Sequence, residues 1–469
     1  MQLKGSLILA GIAGLIAVAQ AQHGISLAWQ TPESQVSQSP GFASGVVGRN
    51  IAVDRMGRIH VVWTENVGTQ FDVFYAFSDD GGATWSRPRD IVNSPLPATS
   101  PNLAVAPNDS LHMTWVDRRG PGGMPRLYYS RSFDRGATWG AAMDLSGNST
   151  EPVGPGLISV DNRGRIHVAY HLGNPDGGAT PAICYYVRSI DGGHSFSPPL
   201  RLSSNTGRHA AFPRFSVEGT LGDLIAIAWR DNRRNPDWDV YVAVSNDGGQ
   251  SFVERVGQAT PQRDWDPDAI VDPQGTIHLA WMTYGTPQGI SIDYKRSADQ
   301  GQTWTPHLTL SQARSRFPFL VKDPRRPYMW LFWKDERDAE PPPSQNFRAD
   351  IACKLSVDGG RTWSQMEFAT DLGNEEVKFP GITIDPAGRP NVVWSDRRQG
   401  ATLEQVHFKR RHLIGDIDRN GCVDDADLSI LLEMFGRAGL QVEGDLDMNG
   451  IVDDRDLAMM LPAFGSGCR

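Results

Sequence analysis

The chain alternates short apolar and polar runs in a pattern that recurs seven times. Its best copies have the form Asp-x-x-Gly-x-Ile-His-Val-x-Trp, as at Asp54 to Trp63 and Asp272 to Trp281. Alternation with a period of two on both sides of a glycine predicts two short strands joined by a turn. The aromatic residues that end the seven copies are Trp63, Trp115, Tyr170, Trp229, Trp281, Trp333 and Trp394.

A second element, Ser-x-Asp-x-Gly-x-Thr-Trp or a variant ending in Ser-Phe, follows six of these copies. Its aspartate can accept hydrogen bonds from the backbone of its own turn, and its glycine supplies a positive φ. We call these elements the Ser-Asp turns and interpret their aspartates as turn staples rather than catalysts. The six aspartates are Asp80, Asp134, Asp191, Asp247, Asp299 and Asp358.

Each repeat therefore contains four strands. In the second repeat we expect strand A at Asn102 to Ala106, strand B at Leu111 to Val116, strand C at Arg126 to Arg131 and strand D from about Trp139 to Leu145. Four antiparallel strands in about 50 residues are typical of a β-propeller blade. The sequence thus predicts an all-β propeller.

The seventh copy is followed by one strand, about Leu403 to Arg410, and by no Ser-Asp turn. At the other end of the chain, Ile25 to Thr31 has the pattern of a lone strand D, with Trp29 where the Trp of a Ser-Asp turn would fall. An N-terminal strand that completes the last blade closes a ring of seven blades. Six blades with an irregular first repeat are the alternative.

The Ser-Asp turns resemble the Asp boxes (BNR repeats) of the sialidase superfamily over about residues 25 to 410. Enzymatic sialidases have six blades, three arginines for the substrate carboxylate, an acid/base Asp, and a Tyr nucleophile paired with Glu. The resemblance offers Arg49, Arg214 and Arg316 as the arginines and Glu65 near the acid position. The chain departs from the family because Gly48-Arg49-Asn50-Ile51 replaces Phe-Arg-Ile-Pro, and no Tyr follows Tyr328.

Four repeats continue after strand B as Trp-x-Asp-x-Arg. A functional interpretation places these groups around the central funnel, where arginine suits carboxylates and sugar hydroxyls. The alternative is a set of salt bridges that recurs because the repeat recurs. Trp265, Trp238 and Tyr284 are candidates for stacking on sugar rings, whereas His60, His112, His167 and His278 share one strand-B position and are expected to pack between strands. The eight residues of the four pairs are Asp117, Arg119, Asp231, Arg233, Asp335, Arg337, Asp396 and Arg398.

The N-terminus predicts export. Lys4 precedes an apolar run from Ser6 to Val18, and Ala19-Gln20-Ala21 matches a small-x-small cleavage site, so residues 1–21 form a signal peptide. A membrane anchor is the alternative, although the run is short for a span. We expect a secreted or surface-attached protein without a membrane span after cleavage.

Charge and cysteines separate the tail from the propeller. Ten Asp and two Glu stand against four Arg from Gly415 onward, a net −8 of the chain's −9. The body is close to neutral and has no basic run that suggests nucleic acid. Cys422 and Cys468 are candidates for a disulfide that staples the tail, whereas Cys184 and Cys353 are expected to stay unpaired and buried.

The tail, residues 415–469, contains two 12-residue loops with the ligand spacing of an EF-hand, each followed by an apolar helix (Leu428 to Phe435 and Leu457 to Phe464). Oxygen ligands in this pattern predict two Ca²⁺ ions. The pair resembles a type I dockerin, which implies a cohesin partner. The candidate ligands are Asp416, Asp418, Asn420, Cys422, Asp424, Asp427, Asp445, Asp447, Asn449, Ile451, Asp453 and Asp456.

Three functions compete for residues 22–411. The first is a propeller that binds or processes glycans, the second is an exo-α-sialidase, and the third is a non-catalytic propeller that binds proteins. The sialidase needs converging arginines and a Tyr–Glu pair, whereas a protein-binding propeller predicts a flat face on which every Asp–Arg pair is closed.

Overall fold

The computed structural model is a β-propeller of seven blades with a small helical module at the C-terminus. The seven-bladed prediction is confirmed. The side chains of Val67 and Phe379 are not described. The structure describes residues 29, 33–38, 42–44, 48–147, 149–176, 180–204, 206–234, 237–286, 289–311, 314–337, 348–373, 375–398, 403–418, 421–439, 442–447 and 449–465.

The blades follow one another along the chain. The strands of blades 1 to 3 are β2 (Ala43–Ser44), β3 (Ile51–Val53), β4 (Ile59–Val67), β5 (Gln70–Ser78), β6 (Arg89–Asp90); β7 (Ala98–Val105), β8 (Leu111–Asp117), β9 (Arg126–Ser132), β10 (Met143–Asp144); and β11 (Leu157–Val160), β12 (Ile166–Leu172), β13 (Ile183–Ser189), β14 (Leu200–Arg201). A 3₁₀ turn, Pro121–Gly123, lies between β8 and β9.

Blades 4 to 6 repeat this arrangement, and blade 7 combines both ends of the propeller. Their strands are β15 (Ala210–Arg214), β16 (Ile225–Asp231), β17 (Asp239–Ser245), β18 (Val253–Gln258); β19 (Arg263–Val271), β20 (Ile277–Thr286), β21 (Gly289–Ser297), β22 (Leu308–Ser311); β23 (Ser315–Lys322), β24 (Met329–Asp335), β25 (Asp350–Ser356), β26 (Glu367–Phe368); and β27 (Lys378–Ile384), β28 (Pro390–Asp396), β29 (Gln405–Arg410) with β1 (Ser34–Gln35).

The ring is closed by β1, which pairs antiparallel with β29. We expected this strand at Ile25 to Thr31, and of that stretch the structure describes only Trp29, which bridges to Arg411. The pairing with β29 involves Ser34 and Gln35, which follow the predicted stretch, because polar contacts around Ser37 hold this segment in place. The Ser37 hydroxyl accepts from the Val406 N–H at 2.8 Å and donates to Gln405 Oε1 at 2.8 Å. Hydrophobic periodicity does not show such contacts.

The Ser-Asp turns have the predicted structural role. In blade 2, Asp134 accepts from the Thr138 N–H at 2.8 Å and from its hydroxyl at 2.6 Å, and these bonds lower the pKa of Asp134 to about 2. The glycine of each turn packs on the preceding blade. A Cβ at Gly193 of blade 3, for example, would lie 1.8 Å from the Tyr129 hydroxyl of blade 2.

The strand-B histidines are packed between strands, as predicted. Nδ1 of His60 lies 2.8 Å from the Tyr75 hydroxyl of the next strand, and its Nε2 lies 3.3 Å from Asp54 at the turn between strands A and B. His112, His167 and His278 make the same contact with tyrosine. These histidines therefore hold strand B and strand C together near the lower face, which is the face that carries the Ser-Asp turns.

The states of the three described cysteines agree with the sequence prediction. Cys184 and Cys353 are buried and free. Cys422 is disulfide-bonded. Its pairing with Cys468 stays a prediction because Cys468 lies outside the described residues.

The C-terminal module contains α1 (Asp425–Met434), α2 (Asp454–Met460) and a final 3₁₀ turn, Leu461–Ala463. Each helix begins at an aspartate that caps it, Asp424 for α1 and Asp453 for α2, and each cap forms a reciprocal capping box. Within the described parts of the chain, no helix is long and apolar enough to cross a membrane.

Candidate functional site

A cavity of about 630 Å³ lies on the upper face, where strand A begins and strand B ends, opposite the Ser-Asp turns. Blades 1 to 6 all contribute to it. Its lining residues are Phe42, Ser44, Thr64, Phe71, Thr99, Ser100, Asn102, Pro155, Leu157, Phe212, Pro213, Arg214, Arg230, Trp265, Asp266, Met282, Tyr284, Arg316 and Phe317.

The cavity wall is built from β-bulges in strand A. The registers of β7, β15, β19 and β23 shift against strand B at these bulges. The residue at each bulge has a positive φ: 58° at Ser100, 57° at Phe212, 44° at Asp266 and 53° at Phe317. Such a conformation costs a non-glycine residue ~1–2 kcal/mol. Bulges re-aim side chains, and strained backbone collects at functional sites.

Sequence reasoning missed these bulges, although a signal was present. A proline follows each of the four strained residues, at Pro101, Pro213, Pro267 and Pro318. Proline removes a ladder donor, so inside a strand it marks a bulge or an edge. The four X-Pro pairs at the start of strand A would have identified Phe212, Asp266 and Phe317 as cavity residues.

The cavity has a neutral half and a cationic half. Blades 1 to 3 supply hydroxyl, amide and apolar groups. Blades 4 to 6 supply Arg214, Arg230 and Arg316 together with Asp266 and Tyr284. Among the described lining residues, three guanidinium groups face one carboxylate. The cationic half is therefore suited to an anion.

Arg230 lies inside an aromatic cage. Its guanidinium carbon lies 4.3 Å from the ring centre of Phe212, 4.4 Å from that of Trp265 and 4.9 Å from that of Trp238. The carboxylates of Asp266 and the exposed Asp176 are 3.7 and 3.6 Å away, and Nε has no hydrogen-bond partner among the described residues. Burial lowers the pKa of Arg230. The cage holds the charge in place and leaves it incompletely compensated.

Arg214 is buried to a similar extent, at 7% exposure. It lies 4.2 Å above the ring centre of Phe319, and its Nη2 has no hydrogen-bond partner within the described chain. Burial lowers the pKa of Arg214; Asp268 and Asp266 oppose the shift, and Arg49 adds to it. A buried donor without a partner is costly, so a bound anion would satisfy it.

Arg316 connects a tyrosine to a carboxylate. Its Nη1 donates to the Tyr284 hydroxyl at 2.7 Å, and its Nε donates to Glu336 at 2.9 Å. Lys334 lies 3.2 Å from Glu336 and holds that carboxylate from the other side. Burial raises the pKa of Tyr284, and Arg316 opposes the shift.

Asp266 is the carboxylate of the cavity. Burial raises its pKa, while Arg230, Arg214 and Arg316 oppose the shift. A protonated Asp266 could donate a proton, and an ionised one could accept a proton. Hydrolysis by two paired carboxylates needs a second such group, and the described lining supplies one.

The structure brings four of the predicted residues to the cavity: Arg214, Arg316, Trp265 and Tyr284. Trp265 contacts Tyr284 and Trp238 edge-on, with ring centres 5.5 and 6.1 Å apart. Arg49 lies among the inner strands, donating to the Phe215 carbonyl at 3.2 Å, with Asp268 3.6 Å away. Glu65 is buried and accepts from the Trp63 indole at 2.8 Å, and it does not line the cavity.

The four Trp-x-Asp-x-Arg segments form closed salt bridges outside the cavity lining. In each, the arginine binds the aspartate two positions earlier, and that aspartate accepts from the indole of the tryptophan. The Arg–Asp distances are 2.8 Å for Arg119–Asp117, 2.6 Å for Arg233–Asp231, 2.7 Å for Arg337–Asp335 and 2.5 Å for Arg398–Asp396. The structure therefore places these eight residues in the alternative, structural role.

The two acidic loops of the tail each gather carboxylates. Asp416, Asp418 and Asp427 approach within 4.8 Å of one another, as do Asp445, Asp447 and Asp456. The last aspartate of each loop is fully buried. Asp456 accepts from the Leu446, Asp447 and Asp453 N–H groups at 2.6, 3.1 and 2.8 Å.

Of the other predicted calcium ligands, some have a structural role and one is not described. Asp424 and Asp453 act as helix caps, and Asn420 lies outside the described residues. Burial and the neighbouring aspartates raise the pKa of Asp445 to about 6. Gly421 and Gly450, at the sixth position, have φ values of 90° and 94°, as the sharp turn of an EF-hand loop requires. The donor set and the turn fit Ca²⁺.

Comparison with known proteins identifies the fold. The polysaccharide lyase Uly1 is similar at a TM-score of 0.52, with 11% identity over 82% of this chain and 94% of that chain. A Hadza microbial sialidase, Hz136, gives a TM-score of 0.46, with 17% identity over 75% and 73% of the two chains. An ulvan lyase bound to -[GlcA(1-4)Rha3S]- gives 0.49, with 14% identity over 79% and 95%. No family model and no curated protein matches the sequence.

Proposed function

We propose that the propeller binds, and could process, an anionic glycan in the cavity of its upper face. The observation that carries this proposal is the trio of Arg214, Arg230 and Arg316 in a cavity whose described lining contains one carboxylate, Asp266. Two of these guanidinium groups are buried with a nitrogen that lacks a partner among the described residues. Carboxylate and sulfate groups match the guanidinium fork, and the aromatic walls suit the apolar faces of sugars.

The fold supports a carbohydrate ligand as well. A polysaccharide lyase shares the architecture, and sialidases are among the structural neighbours. A protein-binding propeller predicts closed Asp–Arg pairs and a flat upper face. The pairs are closed, but the upper face contains the cavity and is not flat, so this function is less well supported.

Isothermal titration would test this proposal with matched pairs of oligosaccharides. Each pair consists of a uronate or sulfated oligomer and its carboxyl-reduced or desulfated counterpart. We expect binding of the charged member only, because the cationic half supplies most of the discrimination. Equal binding of both members, or binding of neither across a broad set, would reject an anion site.

The second candidate is an exo-α-sialidase, favoured by the contacts of Arg316 with Tyr284 and Glu336. This arrangement brings together an arginine, a tyrosine and a glutamate, the residue types of sialidase chemistry, with Arg316 between Tyr284 and Glu336. Turnover of a fluorogenic α-sialoside that disappears in Arg316→Ala would support hydrolysis. Absence of turnover at high protein concentration would leave binding, or another reaction on an acidic sugar, as the function.

We further propose that the tail is a calcium-binding, dockerin-like module of an exported protein, and that it anchors the propeller to a cohesin-type partner. The convergent carboxylates of the two loops support this assignment. Calcium titration of the mature chain should show two bound ions and none after replacement of both Asp427 and Asp456 by Ala. A single ion, or binding that survives the double substitution, would contradict the assignment.

A further inference from the structure

The C-terminal module does not extend from the propeller on a linker, because its side chains are part of the propeller core. Met459 of α2 and Ile414 belong to the same buried cluster as Trp29, Trp330 and Trp394 of the ring. Both are almost fully buried, at 6% and 5% exposure. The module therefore packs against the part of the ring where the two ends of the propeller meet.

Leu446 connects the second acidic loop to this cluster. It packs against the core around Trp330 and also against the module's own core. It lies between the candidate ligands Asp445 and Asp447, and its N–H donates to Asp456 at 2.6 Å. Any ion that orders this loop also fixes the position of Leu446.

The first loop lacks this connection, although the two loops are repeats offset by 29 residues. Ile417, which corresponds to Leu446, packs within the module's core and is not a member of the ring cluster. Ile430, which corresponds to Met459, is likewise outside that cluster. The repeat is therefore symmetric in its ligands and asymmetric in its packing.

We propose that calcium in the second loop stabilises the closed propeller, so that the module acts as a calcium-dependent clasp on the ring. The proposal rests on the proposed calcium binding of the tail. A ligand that binds only the folded arrangement stabilises everything folded cooperatively with it. Trp29 joins the clasp to the N-terminal closing segment, since it lies in the same cluster and bridges to Arg411.

The chain carries its own reporter for this coupling. All 14 tryptophans lie between residues 29 and 394, so intrinsic tryptophan fluorescence reports on the propeller and not on the module. The mature chain would be unfolded thermally in excess Ca²⁺ and in EDTA, with Mg²⁺ as an ionic control. We expect the midpoint temperature of the transition followed by tryptophan fluorescence to be higher in Ca²⁺ than in EDTA, by on the order of 3–5 °C.

Position-matched variants test the asymmetry. Asp447→Ala should abolish the calcium-dependent rise, whereas Asp418→Ala, at the same position of the first loop, should retain most of it. Met459→Ala should still bind calcium by titration but lose most of the rise, and Ile430→Ala should retain it. Met459→Ala and Ile430→Ala keep all the acidic ligands. A smaller calcium-dependent rise of the midpoint temperature in Met459→Ala alone therefore reflects the lost packing against the ring.

Two failures are distinguishable. If calcium binds in titration but the tryptophan transition does not move, the clasp is wrong and the calcium assignment stands. If no calcium binds, both are wrong. Equal effects of Asp447→Ala and Asp418→Ala would also overturn the clasp, because Leu446 of the second loop packs against the ring cluster and its counterpart Ile417 in the first loop does not.

Discussion

Replacing Gly193 by alanine should destabilise the propeller by roughly 2–5 kcal/mol. Gly193 has a φ of 81°, and an added Cβ would lie 1.8 Å from the Tyr129 hydroxyl of the preceding blade. Tyr129 cannot swing away easily, since its hydroxyl lies 2.7 Å from His112 Nδ1 and the side chain is 2% exposed. The substitution therefore combines backbone strain with a clash between blades.

Its neighbour Gly192 is the matched control. Gly192 also has a positive φ, 68°, but its Cβ would meet no atom within 4 Å. Alanine there should cost only ~1–2 kcal/mol, the strain of the left-handed conformation. Urea unfolding of both variants, followed by tryptophan fluorescence, gives the comparison. Equal losses would show that the contact between blades contributes little.

Replacing Arg214 by methionine should weaken binding of the anionic glycan about 30-fold or more, a loss of roughly 2 kcal/mol. Stability should change by less than about 1 kcal/mol. The substitution removes a buried guanidinium group that has one nitrogen without a hydrogen-bond partner among the described residues. Its attraction to Asp268 and Asp266 is lost together with its desolvation cost and its repulsion by Arg49, and methionine can keep the contact with Phe319. Titration with the charged oligosaccharide and urea unfolding measure the two effects separately.

Arg233→Met in the same blade should behave in the opposite way. Arg233 binds Asp231 at 2.6 Å and lies 3.8 Å above the ring centre of Tyr241, outside the cavity. Its loss should leave glycan affinity unchanged and cost roughly 1–3 kcal/mol, because Asp231 is buried. If Arg233→Met weakened binding as much as Arg214→Met, the cavity would not be the binding site.

The repeat made the fold predictable from the sequence. Period-two alternation and the Ser-Asp turns depend on local chemistry, and so each blade could be placed from its own residues. The predicted closing strand, Ile25 to Thr31, did not include Ser34 and Gln35, because these two residues carry no hydrophobic pattern; of the predicted stretch, Trp29 does bridge to Arg411. Its register depends on Ser37 and on residues about 370 positions away in sequence.

The cavity was harder to predict, because it is formed by residues of several blades that lie far apart in the sequence. Repeated polar residues such as Asp231 and Arg233 form closed salt bridges outside the cavity lining, and the same contact recurs in four blades. Arg230 and Asp266 lie in β16 and β19 of neighbouring blades, and no local pattern marks Arg230 as a cavity residue. The strained X-Pro pairs were the exception, since each proline indicates a bulge within its own strand.

The pairing of β1 with β29 also bears on how the protein folds. Ser34 pairs with Phe408, so the last blade cannot form until nearly the whole propeller has been synthesised. Contacts between such distant residues are slow to form because the chain must first close a long loop. During synthesis β1 has no partner until β29 emerges, so it is the strand that two copies could exchange. Ring closure is thus also the step at which misassembly is most easily initiated.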